Sequence, residues 1–421
     1  MRARRSRWGV LSLCAIIPLL ASNAAAEPEW ACVQRDAQHT GRSDATVFAS
    51  TPTLSWQAEA GGSIFGSPVV RGDGVIAVST GNDRHLRAFS PLGQELLSFE
   101  AHDAVMGAPA VGSDDAIYLA DLSGYVYKLS AGGVLEWEYR NTSIDPEEHR
   151  ILCDPTPMNT GGVFLGDWLM TLSWIDEGTA VFPPIDQVFG YTLQDYMSAG
   201  VAVSSDGSIL YQPLRFGSGA EFVVFAASTA DGAGLWLFQD DPIGAELCTG
   251  SMQVAAISID EENERLFVAA NHNCPSGAYL YALDLTDGTP IWADPVDLGA
   301  GSYAIPALSP SGASIHLTML NGELRTIDAA TGNTVWTYSS GAEMIRGSAA
   351  VDAAGKIVFG DMNGVVHCLD AGGGVVWKYA GDSATIAGSI AIAGNGDVLF
   401  GTTTGMLSRL TGNAGTPLLR R

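Results

Sequence analysis

A motif of small residues followed by a short apolar segment recurs eight times, and this repeat limits the possible folds more than any other feature. The copies begin at Gly66, Gly107, Asp154, Ala199, Ser251, Ser302, Gly347 and Gly388. The intervals between them are 41, 47, 45, 52, 51, 45 and 41 residues. Short apolar segments alternate with Gly-containing turns in each interval, and this pattern is typical of a propeller blade. The sequence therefore predicts an all-β, eight-bladed β-propeller of four-stranded antiparallel blades.

The two ends of the repeat region complement each other. The eighth repeat ends after Leu410 without a closing strand, whereas a strand-like segment around Trp56 precedes the first repeat and has no blade of its own. Pairing these two segments would close the ring and leave no open sheet edge. We therefore predict that an N-terminal strand joins the last blade and that the propeller spans residues 54–421.

The first 26 residues have the features of a secretory signal peptide. Four arginines within residues 1–7 precede an apolar run from Val10 to Ala21, and cleavage is expected after Ala26. The apolar run contains Pro18 and is too short for a membrane span. Residues 27–53 form an N-terminal arm with neither helical nor alternating apolar periodicity. We expect an exported protein, periplasmic or extracellular, with a cleaved signal peptide and no membrane span.

The exported chain is strongly acidic. Without the leader it has 17 basic and 46 acidic residues, a formal charge of −29. Such a surface repels nucleic acid and anionic membranes, so neither is an expected partner. The charge favours a soluble protein, which we expect to be a monomer, and an acidic docking surface is the alternative interpretation.

Aromatic residues recur near the ends of the repeats, which indicates structural wedges between neighbouring blades. We expect this role for Trp56, Trp137, Trp236, Trp292, Trp336 and Trp377, with Phe99 at the corresponding place in the first blade.

Five cysteines follow the leader, and strand direction suggests how two of them pair. In an antiparallel blade, the loops between strands two and three share one face with the connections between blades. Cys248 and Cys274 both fall on that face, so we predict a disulfide between them. Cys368 is expected to be a buried free thiol. The sequence leaves open whether Cys32 and Cys153 pair.

Several segments resemble the tryptophan-docking turn of pyrroloquinoline-quinone (PQQ) repeat propellers. The best copies are 286–292 (TDGTPIW) and 330–336 (ATGNTVW). The resemblance implies one of two functions. The quinoprotein dehydrogenases of this family use PQQ and calcium, a pair of adjacent cysteines and often haem. The present chain has no adjacent cysteines and no haem-attachment motif. The non-catalytic, BamB-like branch is similar in size and blade number, and it implies a scaffold without a cofactor.

No hydrolase, zinc-protease or phosphate-loop motif occurs in the chain, so we expect no catalytic, cofactor-binding or metal-binding residues. The insertions that depart from the repeat are the better functional candidates. We hypothesise a protein- or peptide-binding face formed by Asp145, Glu147, Glu148, Trp168, Trp174, Tyr191, Tyr196, Asp240, Asp241 and Glu246. Solvated loops without a partner are the alternative. For the whole protein we expect a non-catalytic binding or assembly scaffold, with a PQQ-dependent dehydrogenase or a carbohydrate-binding propeller as alternatives.

Overall fold

A computed structural model gives the fold of most of the chain. It describes residues 26–140, 154–158, 161–166, 172–180, 187–188, 191–192, 200–216, 221–240, 253–271, 277–381 and 383–412. Within these ranges the chain is almost entirely β-structure, with one short 3-10 turn at Glu261–Asn263. The strands form eight four-stranded antiparallel sheets, which are the blades of a propeller. The predicted fold class is confirmed.

The first four complete blades follow each other along the chain, after β1 (Thr53–Glu59). Blade 1 contains β2 (Val69–Val70), β3 (Ile76–Thr80), β4 (His85–Phe89) and β5 (Glu95–Glu100). Blade 2 contains β6 (Ala110–Val111), β7 (Ile117–Ala120), β8 (Tyr125–Leu129) and β9 (Leu135–Arg140). Blade 3 contains β10 (Thr156–Pro157), β11 (Val163–Gly166), β12 (Leu172–Asp176) and β13 (Thr179–Ala180), and a separate hairpin of β14 (Gln187–Val188) and β15 (Tyr191–Thr192) follows it. Blade 4 contains β16 (Ala202–Val203), β17 (Ile209–Phe216), β18 (Glu221–Ser228) and β19 (Gly234–Asp240).

The remaining blades complete the ring. Blade 5 contains β20 (Gln253–Asp260), β21 (Arg265–Asn271), β22 (Ala278–Asp284) and β23 (Val296–Asp297). Blade 6 contains β24 (Ala307–Leu308), β25 (Ser314–Thr318), β26 (Glu323–Asp328) and β27 (Thr334–Ser339). Blade 7 contains β28 (Ala350–Val351), β29 (Ile357–Gly360), β30 (Val365–Leu369) and β31 (Val375–Ala380). Blade 8 contains β32 (Ala391–Ile392), β33 (Val398–Gly401), β34 (Met406–Thr411) and, as its outermost strand, β1.

The ring closes between the two ends of the repeat region, as predicted. β1 pairs with β34 in antiparallel register, from Thr53 opposite Thr411 to Glu59 opposite Met406. Second strands such as β29 and β33 are buried along their whole length because a neighbouring blade covers each face. The hydrophobic core is therefore a set of layers between blades. Near the axis, the inner strands approach so closely that a Cβ at Gly347 would lie 2.2 Å from the carbonyl oxygen of Gly388 in the next blade.

Tryptophans in the closing strands, or in the case of Trp292 just before one, pack on the turn between strands three and four of the following blade. The ring of Trp336 lies on Gly373, where an added Cβ would be 2.9 Å from it, and Trp336 Nε1 donates to the carbonyl oxygen of Ala371 at 3.1 Å. Gly373 has a φ of +85°, which favours glycine there for a second reason. The same packing joins Trp56 to Gly93, Trp137 to Gly178, Trp236 to Gly288 and Trp292 to Gly332.

Two junctions depart from this arrangement. In blade 1 the equivalent residue is Leu97, which packs on Gly133, so the prediction that Phe99 occupies the tryptophan place is wrong. Phe99 lies two residues further along the strand and instead meets Tyr127 edge-on. In blade 8 the third and fourth strands come from opposite ends of the chain, so no turn joins them. The N-terminal arm replaces it: Phe48 stacks on Trp377 at 5.1 Å and its carbonyl oxygen accepts the indole N–H at 3.0 Å.

Candidate functional site

The two ends of the ring differ in what covers them. The turns between strands one and two lie at one end, which we call the arm end because the N-terminal arm crosses it. The connections between blades and the loops between strands two and three lie at the other end, which we call the open end. A partner or ligand has to be recognised at one of these ends or at the rim.

The arm follows the blades around the axis at the arm end. Its carbonyl oxygens accept hydrogen bonds from inner strands in blade order. The N–H groups of Val70, Val111, Val203, Ile259, Leu308 and Val351 donate to Trp30, Ala31, Ala37, Gln38, Thr40 and Gly41, at 2.7 to 2.9 Å. The arm thus pairs with the inner strands of blades 1, 2, 4, 5, 6 and 7. It is an integral part of the ring.

A tight turn of the arm fills the centre of the ring at this end. Val33 packs between Ala108 of blade 2 and Ile305 of blade 6, which lie on opposite sides of the axis. Gln34 is fully buried, and its side-chain amide donates to the carbonyl oxygens of Ile305 and Ala349 at 3.3 and 3.0 Å. Opposite blades are therefore bridged through the arm, and the axis is filled here.

Side-chain oxygens near the axis also connect adjacent inner strands. Ser348 Oγ accepts the N–H of Ile305, and Ser389 Oγ accepts the N–H of Ser348, both at 2.9 Å. Asp154 occupies the same place in blade 3 and accepts the N–H of Ala108 at 2.5 Å. Burial raises the pKa of Asp154 to about 6, although the hydrogen bond from Ala108 opposes this shift. This carboxylate thus has a structural role that serine has elsewhere.

Two further titratable groups of the arm are buried. His39 Nδ1 lies 3.3 Å from the carbonyl oxygen of Ile257, and burial lowers the pKa of His39 to about 4. Cys32 is a buried free thiol whose pKa is raised by burial and then by the carboxylates of Asp36 and Asp154. A buried imidazole with a pKa of about 4 is a weak general base at neutral pH, and a buried thiol with a raised pKa is a poor nucleophile. Cys368 is also a buried free thiol, as predicted.

The predicted binding face falls largely outside the described residues. The backbone places Trp174 in β12, Tyr191 in β15 and Asp240 at the end of β19. Asp145, Glu147, Glu148, Trp168, Tyr196, Asp241 and Glu246 lie outside the described ranges, and so do Cys248 and Cys274 of the predicted disulfide. Their grouping on one face, and the disulfide, stay predictions.

The described backbone shows that blade 4 is longer than the regular blades at the open end. β17 and β18 pair over eight positions, from Ile209 opposite Ser228 to Phe216 opposite Glu221. The equivalent strands of blade 7, β29 and β30, pair over four positions. When blades 4 and 7 are aligned on their inner strands, about three of the additional positions of blade 4 lie at the open end. They extend its hairpin by about 10 Å. β21 and β22 of blade 5 are also long, with seven paired positions.

The inner mouth of the open end carries exposed aromatic and cationic side chains that the sequence analysis missed. Arg346 of blade 7 lies over the ring of Tyr303 of blade 6, with 5.5 Å between the guanidinium carbon and the ring centroid. Tyr303 is 36% exposed. Each residue precedes the first residue of its inner strand by four positions. An alignment of the repeats on their inner strands would therefore have placed the two residues at the same level of adjacent blades.

A calcium or other metal site would need several ligating side chains close together. In the described part of the chain, no three His, Cys, Asp or Glu side chains come together closely enough to hold a metal ion. The described residues therefore contain no carboxylate cluster of the kind that would hold calcium. Nor does any helix within the described ranges have the length and apolar character needed to cross a membrane.

Comparisons with known proteins agree with this architecture. The family model of the outer membrane protein assembly factor BamB matches residues 320–418. No curated protein matches the chain. Similar solved structures include a quinohemoprotein alcohol dehydrogenase from Comamonas testosteroni, with a TM-score of 0.70 and 13% identity over 95% of this chain and 83% of that one.

Two other solved structures are similar to a comparable extent. BamB from Moraxella catarrhalis has a TM-score of 0.60 and 14% identity, over 88% of this chain and 100% of that one. A europium-containing methanol dehydrogenase has a TM-score of 0.69 and 14% identity, over 91% of this chain and 98% of that one. At such identities the likeness concerns the fold and does not separate a scaffold from a dehydrogenase. The chain thus has the β-propeller fold of these proteins, and its residues 320–418 match the BamB family model.

Proposed function

We propose that the protein is an exported, non-catalytic scaffold that binds a protein partner at its open end. The observation that carries this proposal is the contrast between blade 4 and the regular blades. β17 and β18 pair over eight positions where β29 and β30 pair over four, and the additional length lies largely at the open end. A rigid ring that extends a hairpin beyond its neighbours offers a raised surface for protein contact.

The arm end is less suited to this role. Its centre is filled by the arm, which is held by main-chain hydrogen bonds to six blades. Binding a partner through those groups would require breaking them. The sequence predicts that the acidic, aromatic insertions also fall on the open end, where the hairpins of blades 4 and 5 are extended. Export is proposed from the leader at residues 1–26.

Crosslinking followed by pull-down from the native envelope and secreted fractions tests the proposal. The wild-type chain is compared with a variant in which residues 214–223 are replaced by Asn-Gly, which shortens the blade 4 hairpin to about regular length. A control carries Asp231→Asn and Glu262→Gln at the arm end of blades 4 and 5. We expect a partner that the wild type and the control capture and the shortened variant loses. Absence of any specific partner, or equal capture by the shortened variant, contradicts the proposal.

A PQQ-dependent dehydrogenase is the alternative that the similar structures keep open. PQQ and calcium are added to the purified chain, and reduction of an artificial dye is followed with alcohols or sugars. Substrate-dependent turnover would replace the scaffold proposal with an enzymatic one.

A further inference from the structure

The mouth of the axis at the open end is lined by residues at one level of the ring. Phe65, Met106, Tyr303, Arg346 and Ala387 each lie four positions before the first residue of an inner strand, in blades 1, 2, 6, 7 and 8. All five are at least partly exposed. We call these five residues the axial mouth.

The axial mouth is a shallow cup because the axis is closed beneath it. Val33, Ala108 and Ile305 pack together across the axis two positions further along the inner strands. Two residues of extended chain span about 7 Å. Around the same level, a Cβ at Gly388 would lie 2.5 Å from the carbonyl oxygen of Gly66, so adjacent inner strands leave no gap between blades 8 and 1. A ligand can therefore enter the mouth from the open end but cannot pass through.

Arg346 is a cation without a counter-charge in the described part of the chain. It forms no salt bridge there, and its one described interaction is with the Tyr303 ring. Most of the other described arginines pair with carboxylates, as Arg84 does with Glu100 and Arg409 with Asp397, although Arg140 also lies over a tyrosine ring. In an exported chain of charge −29, an exposed guanidinium without a carboxylate partner is complementary to an anion. The guanidinium fork matches a carboxylate in particular.

The part of the mouth formed by blades 1 and 2 is apolar. A Cβ at Gly81 would lie 3.0 Å from the Met106 sulfur and 3.4 Å from the Phe65 ring, which places these two side chains against the same glycine. Met and Phe at a partly exposed position accommodate an apolar side chain. The mouth therefore offers a cationic site and an apolar site at one level.

We propose that the axial mouth binds a peptide segment of a protein partner that carries a carboxylate beside an aromatic side chain. The carboxylate pairs with Arg346, and the aromatic side chain packs against Phe65 and Met106. This inference rests on the proposed function and names the chemistry of the partner's contact. The blade 4 hairpin, at the same end of the ring, adds contact area, whereas the axial mouth supplies specificity.

Selection of a random dodecapeptide library on the full exported chain tests this. We expect enrichment of peptides with Asp or Glu next to Phe, Tyr or Trp. A synthetic enriched peptide is then titrated by fluorescence anisotropy against the wild type and Arg346→Gln. Loss of a charge-assisted hydrogen bond should weaken binding about tenfold or more. The control is Arg84→Gln, which removes the same charge from the open end away from the axis and should leave the affinity unchanged.

Several outcomes overturn the inference. These are enrichment of peptides without an acidic residue, no enrichment at all, or equal binding by Arg346→Gln. PQQ is tested in the same way. If PQQ binds the wild type but not Arg346→Gln, and the peptide does not displace it, the mouth is a quinone site and the inference is wrong. If the partner captured by crosslinking binds Arg346→Gln as well as wild type, this inference fails while the proposed function stands. If native fractions yield no partner, the proposed function fails first.

Discussion

The arm end and the open end of the ring are built from the same eight blades, but they use their polar groups differently. At the arm end, polar side chains such as the buried Gln34 and the partly buried Asp154 form hydrogen bonds within the chain. At the open end, Arg346 is exposed and contacts only an aromatic ring among the described residues. The difference indicates that stabilising contacts are concentrated at the arm end, and it supports the proposal that the open end binds a partner.

The largest effect is expected from removing a buried side chain of the arm. Trp30 is fully buried in a cluster formed with residues of blades 1, 7 and 8. Trp30→Ala should lower the free energy of unfolding by about 3 to 5 kcal/mol, because it leaves a cavity in the core. Urea unfolding followed by tryptophan fluorescence measures this. Leu92→Ala is the control, since Leu92 is 79% exposed in a turn at the same end, and it should change stability by less than about 0.5 kcal/mol. Equal effects would mean that the arm is not integral to the ring.

The role of the arm could not be predicted from the sequence, although the ring could. The period, the small residues of the inner strands and the orphan strand at Trp56 all follow from side-chain patterns. The arm binds mainly through main-chain carbonyls, which every residue has, so its sequence shows no period. Gln34 and His39 also have positive φ values of 55° and 56°, which residue type alone does not reveal.

Some features of the open end could also be predicted from the sequence, and others could not. Insertions in blades 3 to 5 are visible as departures from the repeat, so a variable face was predictable. The contact between Tyr303 and Arg346 was missed because the two residues lie 43 positions apart in the sequence, in adjacent blades, and only an alignment of the repeats on their inner strands places them at one level. The replacement of a tryptophan by Leu97 was missed because Phe99, two residues later, has the more conspicuous side chain.

A further effect concerns the pH dependence of the arm end. Burial lowers the pKa of His39 to about 4 from its ordinary 6.5, so between these values the unfolded chain binds a proton that the folded chain does not. The stability contributed by the neutral imidazole is therefore lost as pH falls from 6.5 towards 4. Between pH 7 and pH 4.5, wild type should lose about 2 to 3 kcal/mol more than His39→Gln. Asp154 titrates in both proteins, so its opposite contribution cancels in the comparison of their urea unfolding. Parallel pH profiles would show that His39 is accessible to protons.

Two glycines with nearly the same backbone conformation compare the ends directly. Gly373 at the arm end has a φ of +85° and lies under the Trp336 ring, whereas Gly341 at the open end has a φ of +86° and nothing within 4 Å of an added Cβ. Gly341→Ala should cost about 1 kcal/mol for the left-handed conformation alone. Gly373→Ala should cost about 1 to 3 kcal/mol more, since the methyl group also displaces the indole. Thermal or urea unfolding gives both values. Equal losses of stability in the two variants would show that the Trp336 ring moves aside for the methyl group at no cost in free energy.

The smallest effect on stability is expected at the axial mouth. Arg346 has no ion pair among the described residues, and Tyr303 is 36% exposed, so Arg346→Gln removes little packing. Its free energy of unfolding should stay within about 0.5 kcal/mol of wild type. The same variant should lose peptide affinity, and a substitution that changes binding without changing stability is what separates a recognition residue from a structural one. A loss of several kcal/mol would place Arg346 with the arm end instead, because it would mean that this cation holds the inner strands together.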